Sequence, residues 1–548
     1  MAVQAARRWR GGCGYDSTVK TKIDRLAALR AARLRATLLA TLCVAALAGA
    51  HGTAMTQSKP DNVNLPTLGD SAREDMSPVF ERRLGEEIMR DIRRDHDFLD
   101  DDAILEYLNN FGNNLVAAYP GARGETGNDY GFFAVRDPML NAFALPGGFI
   151  GVHSALLIAA QSESELASVL SHEIGHVTQR HIARMLGQQK QDALMPLAAL
   201  ILAALASKAG PDAAIGVFMG GQGLAIQRQI NFTRDAEREA DRVGFQIMAA
   251  AGFDTSGMVA FFQRLQAATK VYSDLTPPSL MSHPLTSERI ADIQARIRDA
   301  PYRQRIDGLE FQLVRARARV LQDESTQGRL DAKAAFESQR TLQSRQQQAA
   351  AQYGLALLAL KNHALPQAAD WLAQARATMT PVTGAVFSTG QSASDGAAMF
   401  ASMGLDIALA PGQPSTMAAQ TVKQAEQAYQ QFPLSRGIAR QYAQAMIACG
   451  MLDAAAVFLR EQARQYREEP KLVELLAETY AAQGKLTLQH IALAESYVIK
   501  GALPAAVDQL TIARKAPDAS FYDLALIDAR ERELLIRQRE DKKEKKEK

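Results

Sequence analysis

Ser168–Arg184 reads SVLSHEIGHVTQRHIAR, and the rest of the chain is organised around it. Inside it, His172-Glu173-Ile174-Gly175-His176 forms an H-E-x-x-H pattern. Residues four apart share one face of an α-helix, so both imidazoles can point at one ion. Glu173, one position past the first His, then stands beside the ion rather than on it, where it can take a proton from attacking water. Glu165, Leu166, Val169 and Leu170 precede the motif, and Ile182 and Met185 continue the apolar stripe, which predicts one helix through the whole stretch. Histidine supplies only 9 of 548 residues. With glutamate at about one residue in eighteen, chance would place this pattern in roughly one such chain per hundred. Zinc-dependent hydrolysis is the expected chemistry. On a continuous helix His181 falls five residues past His176, about 140° around the axis, and should not reach the same ion. His153 is likewise not expected to be a ligand.

A chain of 548 residues with 47% apolar residues predicts two or three domains with real cores. The net charge of +2, with no basic stripe interleaved with aromatics, argues against nucleic acid as a partner. Cys13, Cys43 and Cys449 are the three cysteines. The first two fall in a segment expected to be removed, which leaves one thiol and no intrachain disulfide. Cys449 follows Met446 and Ile447 and is read as a buried structural thiol.

Arg30, Arg33 and Arg35 precede the apolar run Ala36–Ala50, ATLLATLCVAALAGA. A basic flank, a short apolar core and small residues at Ala48 and Ala50 predict a signal peptide over 1–50. About fifteen apolar residues are too few for a comfortable membrane span, although an uncleaved anchor is the alternative. The polar, Pro-containing residues 51–76 read as a flexible lead-in. A catalytic domain is expected over 77–300. Ser77-Pro78 should open a helix, Asp100–Tyr119 a second, and Tyr130–Val135 and Phe143–Val152 should be strands. Pro146-Gly147-Gly148 interrupts the latter; its glycines mark either close approach of a substrate strand or an ordinary turn.

Two imidazoles leave a hydrolytic metal site short of its third protein ligand. The best source is Phe232–Asp241, where Glu237 and Asp241 are four apart and share a helical face. Glu237 could ligate, with Asp241 holding a ligating imidazole. Glu239 competes for the ligand role, and helical geometry does not choose between them.

Taken together, HEIGH, Glu237-Arg238-Glu239-Ala240-Asp241, Ser282-His283-Pro284 followed by Arg289-Ile290, and Asn141–Gly148 (NAFALPGG) resemble the zinc endopeptidase family that includes HtpX and the CAAX prenyl proteases. The resemblance runs from Ser77 to Leu535 and is strongest to periplasmic members with a C-terminal tetratricopeptide domain. His153-Ser154-Ala155-Leu156 departs from it where many relatives carry a glycine. The resemblance implies one Zn²⁺ per chain on His172, His176 and Glu237, with Glu173 and Asp241 as catalytic residues. It also implies His283 near the site, either steadying the oxyanion or capping the metal as a fourth ligand. The implied setting is the periplasm. The implied substrates are unfolded or stalled outer-membrane β-barrel proteins, with a chaperone-like role in their assembly and docking to the assembly machinery through the repeat domain.

Between the two metal-binding segments, Ala193–Ala206 is about fourteen residues long and contains Pro196, too short to cross a bilayer. With the Gly-rich Gly216–Gly223 it is read as a lid over 193–226, with peripheral outer-membrane contact as the alternative. After Arg298 the composition shifts to Ala, Gln and Leu. ALPQAADWLAQA at Ala364–Ala375 and ALPAAVDQLTIA at Ala502–Ala513 start 138 residues apart, about four tetratricopeptide periods, and Gly450 and Gly484 are 34 apart. A tetratricopeptide array is expected over 308–536, with Met379–Gln413 as an interrupting loop and a solvated charged tail over 537–548. Such arrays make concave protein-binding surfaces. The fold class is therefore expected to be mainly α: an H-E-x-x-H zincin-type domain with a small β-sheet, followed by a helical repeat array. The competing readings are a chaperone or scaffold whose metal site is latched, and a membrane-anchored peptidase.

Overall fold

The computed structural model describes residues 76–124, 127–187, 234–271, 283, 285–301, 303, 305–342, 344–380, 396–413 and 415–547. The expected signal segment, nearly all of the lead-in and the 193–226 segment lie outside the described residues. The architecture is mainly α with one three-stranded sheet. Among the described residues no helix is long and apolar enough to cross a membrane.

Helix α1 (Pro78–Ile92) starts on Ser77, whose hydroxyl accepts from Phe80 N–H at 3.2 Å, and Pro78 sits where a helix needs no donor. Helix α2 (Asp102–Ala118) is capped by Asp101, which accepts from Ile104 N–H at 3.1 Å. Strand β1 (Gly131–Val135) pairs in parallel with β3 (Phe149–His153), and β2 (Ala142–Leu145) pairs antiparallel with β3, giving the order β1-β3-β2. Asn109 of α2 serves the other side of β1: its carbonyl accepts from Phe132 N–H at 3.0 Å and its amide donates to Phe132 O at 2.7 Å.

The stretch Phe143–Val152, expected as strand interrupted at Pro146-Gly147-Gly148, is the hairpin β2–β3, turned by Pro146–Gly148. Gly147 and Gly148 have φ of +74° and +88°, and a Cβ on them would lie 2.8 Å from Arg82 Cα and 2.4 Å from Asp129 O. These glycines satisfy a turn packed against α1, not the approach of a substrate. The strand left at the sheet edge is β2.

Helices α3 (Ser154–Ala159), α4 (Glu163–Thr178), α5 (His181–Gly187), α6 (Arg234–Ala250), α7 (Ser256–Val271) and α8 (Ser287–Asp299) complete the site-bearing part. The H-E-x-x-H helix ends at Thr178, so the single helix expected through Arg184 is two. Arg180 takes a left-handed φ of 51°, rare for a side chain with a Cβ. It is held there by its guanidinium, which donates to Glu81 Oε2 at 3.1 Å and to Met76 O at 2.6 Å.

The remaining helices are α9 (Leu309–Gln322), α10 (Thr326–Gln339), α11 (Arg345–Lys361), α12 (Leu365–Met379), α13 (Ala397–Leu409), α14 (Ala418–Gln431), α15 (Arg436–Ala448), α16 (Leu452–Gln465), α17 (Pro470–Ala482), α18 (Leu486–Ile499), α19 (Leu503–Arg514) and α20 (Phe521–Glu547). Two expectations are corrected. Within the expected loop 379–413, α13 is a helix that buries Met399, Phe400 and Met403. Cys449 is only partly buried, at the C-terminus of α15. Helix α20 also carries the charged run that follows Ile536 as far as Glu547, which leaves its expected solvation untouched.

One apolar core runs from Leu108 and Leu115 of α2 and Leu166 and Leu170 of α4 through Phe311 and Val314 of α9 to Tyr353 and Leu357 of α11. Among the described residues this core continues past Arg298 into α9 and α11. The half-buried Arg317 of α9 donates to Asp101 at 2.7 Å and to Tyr353 OH at 3.0 Å, tying the cap of α2 to this core. Farther on, Glu106 Oε1 accepts from Gly437 N–H at 2.8 Å at the start of α15.

Helix pairs α15–α16 and α17–α18 turn on Gly450 and Gly484, with φ of 78° and 73°. Their helices begin at Arg436 and Pro470, and at Leu452 and Leu486, which preserves the 34-residue spacing. The two ALP stretches open α12 and α19, each with Pro in the first turn. Among the described residues α19 is the seventh helix after α12, an odd offset, so the two ALP stretches do not open equivalent helices of two-helix units. They share a way of starting a helix after a left-handed residue, His363 or Gly501.

Candidate metal centre

Helix α4 begins at Ser162, whose hydroxyl accepts from Glu165 N–H at 3.2 Å, with Glu163 and Glu165 in the first turn beside the positive end of the helix dipole. It is buried nearly all round, because α6, α7 and the sheet all pack on it. Two glycines set how closely α6 approaches. A Cβ on Gly175 would lie 2.8 Å from Ala240 O, and one on Gly244 would lie 2.9 Å from His172 N. Backbone therefore meets backbone, and the first turn of α6 delivers Glu237 to the two histidines.

His172 Nε2 and His176 Nε2 are 3.0 Å apart. Glu237 lies 3.4 Å from the first through Oε2 and 3.3 Å from the second through Oε1. His283 joins them, its Nδ1 2.8 Å from Glu237 Oε1. One donor atom from each of these four residues falls within 4.8 Å of the others. All four are candidate site residues of the sequence, and the structure brings them together. A tetrahedral ion with bonds of about 2.0–2.1 Å spaces its donors about 3.3 Å apart, so the two imidazoles and the carboxylate fit a divalent metal.

Glu173 is buried beside the cluster, with Oε1 3.7 Å from His283 Nε2 and Oε2 without a hydrogen-bond partner. An acceptor kept unengaged in a buried site is costly, and is what a proton-accepting carboxylate needs. Glu173 lines a cavity walled by Leu140, Val169, Phe261, Phe262, Leu265 and Leu285.

Asp241 sits behind the ligands, not among them: its Oδ1 is 2.9 Å from His172 Nδ1. Arg289, itself buried, grips Asp241 through two bonds of 2.7 and 2.8 Å and reaches Glu237 Oε2 at 2.9 Å. Burial works against charge on all these groups. It is outweighed at Glu237, which His283 and His176 hold well below the usual carboxylate range, and at Asp241, which Arg289 and His172 hold down. Burial also opposes a charged His172, but Asp241 and Glu237 push it up to about 10. Burial dominates at His176 and drops it to about 3.

His181 was expected to point away, and as a ligand it does stand outside the cluster. The break at Arg180 nevertheless turns its ring onto the far side of His176, Nδ1 to Nδ1 at 2.8 Å. Its Nε2 lies 3.2 Å from Glu239 Oε2, which Arg184 holds at 2.7 Å. Glu239, the other candidate third ligand, is thus occupied elsewhere. Local helical spacing could not reveal this, because the break rests on contacts to Met76 and Glu81, a hundred residues away in sequence. His153 is also outside the cluster, packed with its Nδ1 3.2 Å from Met139 O.

Residues 110–297 match the profile of peptidase family M48. A beta-barrel assembly-enhancing protease of Vibrio cholerae is 40% identical over 257 residues, a match that spans 47% of this chain and 52% of that relative. The protease of the same name from Escherichia coli K12 is 29% identical over 498 residues, covering 91% of this chain and 96% of the relative. The mitochondrial metalloendopeptidase OMA1 of Schizosaccharomyces pombe is 26% identical over 238 residues, covering 41% and 66%. The matched segment contains the H-E-x-x-H helix, Glu237, His283 and Arg289. Through residues 110–297 the chain carries a domain similar to peptidase family M48, and it is a metallopeptidase.

Proposed function

We propose that this chain is an exported, periplasmic zinc endopeptidase acting on misassembled or stalled outer-membrane β-barrel proteins, with a chaperone-like role in their assembly. The observation that carries the catalytic part is the convergence of His172, His176 and Glu237 on one point beside the unengaged Glu173 carboxylate. His172 and His176 through Nε2, and Glu237 through its carboxylate, would hold the zinc. When bound, the ion supplies Lewis acidity toward a peptide carbonyl and makes water a competent nucleophile near neutral pH. Glu173 takes the proton of the attacking water and returns it to the leaving amine. Asp241 and Arg289 keep the His172 ring in place. The cavity beside Glu173 receives a side chain next to the scissile bond, and β2, at the sheet edge, offers its backbone to an extended substrate.

The client assignment rests on the relatives' names and on a physical fit, since unpaired strand edges suit an enzyme that reads extended backbone. In this reading, residues 77–300 form the catalytic part and 308–536 a tetratricopeptide array that docks clients and their assembly machinery. The helix pairs at 34-residue spacing support it.

A second reading is favoured by one contact. His283 Nδ1 is 2.8 Å from Glu237 within the four-residue donor group, so His283 can take the fourth ligand position and hold the enzyme idle. The test of the main reading is cleavage of casein or an unfolded barrel protein by wild type, Glu173→Gln and chelator-treated enzyme. Cleavage should be lost in both altered cases while Glu173→Gln keeps its zinc; equal activity in all three ends the peptidase assignment.

A further inference from the structure

His176 has two ring nitrogens, and only one can serve an ion. Its Nε2 faces His172 and Glu237 at 3.0 and 3.3 Å. Its Nδ1 faces His181 Nδ1 at 2.8 Å, in a buried setting. A nitrogen with a lone pair free for a metal leaves the ring's proton on the other nitrogen, so ligation through Nε2 makes Nδ1 a donor. His181 Nδ1 must then accept, and the His181 proton must sit on Nε2. That nitrogen lies 3.2 Å from Glu239 Oε2, which as a carboxylate can only accept. The directions agree along the whole line: His176 donates to His181, His181 donates to Glu239, and Arg184 donates to Glu239 at 2.7 Å.

His172 has a matching arrangement on its own far side, with Asp241 2.9 Å from Nδ1 and Arg289 bonded to Asp241. Each imidazole is therefore backed by an acceptor whose own charge or proton is fixed by an arginine-bound carboxylate. The second line exists only because the chain turns at Arg180, whose left-handed backbone is held by Glu81 and Met76. A non-glycine residue in that region stores strain that surrounding contacts must offset.

We infer that His181, with Glu239 and Arg184, is a positioning relay for the metal ligand His176, fixing its tautomer and ring angle so that Nε2 is presented to zinc. His181 is not a ligand and does not touch substrate. The inference rests on the zinc reading, and its test separates the two. Backing groups of this kind are typically worth about 10–100-fold in metal affinity.

The experiment is chelator competition for zinc on the mature full-length chain, with the thermal midpoint of the zinc-free protein measured alongside. Three variants are compared with wild type. His181→Phe keeps a ring but no acceptor. His181→Asn keeps an acceptor oxygen near the position of Nδ1. Glu239→Ala leaves His181 in place but frees its far nitrogen. We expect zinc affinity to fall about 10–100-fold in His181→Phe, to stay within a few-fold of wild type in His181→Asn, and to fall by an intermediate factor in Glu239→Ala. The zinc-free midpoint should change little in Glu239→Ala, whose side chain is partly exposed. If His181→Phe fails to fold, the Glu239→Ala result decides. Wild-type affinity in both His181→Phe and Glu239→Ala overturns the relay and leaves the metal site standing. Absence of zinc binding in wild type overturns the metal reading itself.

Discussion

Asp241 Oδ1 lies 2.9 Å from His172 Nδ1, and the same carboxylate is gripped at both oxygens by Arg289. The pair is buried, so the carboxylate stays charged only because the guanidinium and the imidazole share it. Asp241→Asn preserves shape but removes the charge that holds the His172 proton on Nδ1. Zinc affinity is expected to drop about 10–100-fold, read by chelator competition. Excess zinc should restore much of the peptidase rate, because the carboxylate of Glu173 is untouched. A rate that stays low at saturating zinc would mean that Asp241 acts on the reaction directly.

The approach of α4 and α6 sets where Glu237 stands. Gly244 meets the backbone of His172 with no room for a Cβ, the added atom falling 2.9 Å from His172 N. Gly244→Ala, favourable for a helix in isolation, is expected here to destabilise by about 1–3 kcal/mol through overpacking. Denaturant unfolding of the zinc-free protein measures that loss. Zinc affinity should fall as well, since the same displacement withdraws Glu237 from the histidine pair. Gly127→Ala is the control: no atom lies within 4 Å of the added Cβ, although its φ of 64° carries a backbone penalty of its own.

The H-E-x-x-H face and the Glu237–Asp241 pair could be read from sequence because each depends on one helical period. Both survive in the structure as local geometry. His181 could not be read that way. Its placement depends on Arg180 leaving the helix, and that depends on Glu81 and the Met76 carbonyl. The hairpin β2–β3 was legible in part: Pro146-Gly147-Gly148 marked the break, but only the contacts of the left-handed Gly147 and Gly148 with Arg82 and Asp129 decide for a turn over a substrate edge. Helix α13 has apolar residues on most sides and begins after a left-handed Gly396, so neither periodicity nor a side-chain cap announced it. The change of composition after Arg298 likewise concealed that α9 fills the same core as α2 and α4.

Arg317 shows how the two halves are joined. Its guanidinium is nearly enclosed, bonded to Asp101 and Tyr353, while Asp101 also caps α2. Replacing Arg317 by Met fills similar space but leaves the half-buried Asp101 carboxylate without its cation. Leaving a half-buried charged group without its hydrogen-bonding partner costs about 1–3 kcal/mol, which denaturant unfolding would register. The double variant Arg317→Met/Asp101→Asn should recover a large part of that loss, because Asn can still cap the helix without a charge. Equal losses in single and double variants would show that the ion pair contributes no coupling.

The cavity beside Glu173 carries a prediction about which bonds are cut. Its apolar walls are Leu140, Val169, Phe261, Phe262, Leu265 and Leu285, and His172, Glu173 and His283 also line it. A substrate carbonyl placed at the histidine cluster puts a neighbouring side chain into this apolar wall, so cleavage should favour a bulky apolar residue adjoining the scissile bond. Mass spectrometry of casein fragments reads that preference directly. Leu265→Trp narrows the cavity from α7, away from the metal ligands. It should shift cleavage toward Ala and Gly at that position, with about 10–200-fold discrimination against Leu and Phe, the range a pocket gains from small changes in fit. Thermal unfolding of the zinc-free variant checks that the tryptophan has not disturbed α7. An unchanged fragment pattern from a folded Leu265→Trp enzyme would place the substrate side chain elsewhere, because a pocket that accepts the side chain cannot be narrowed without changing which residues it admits.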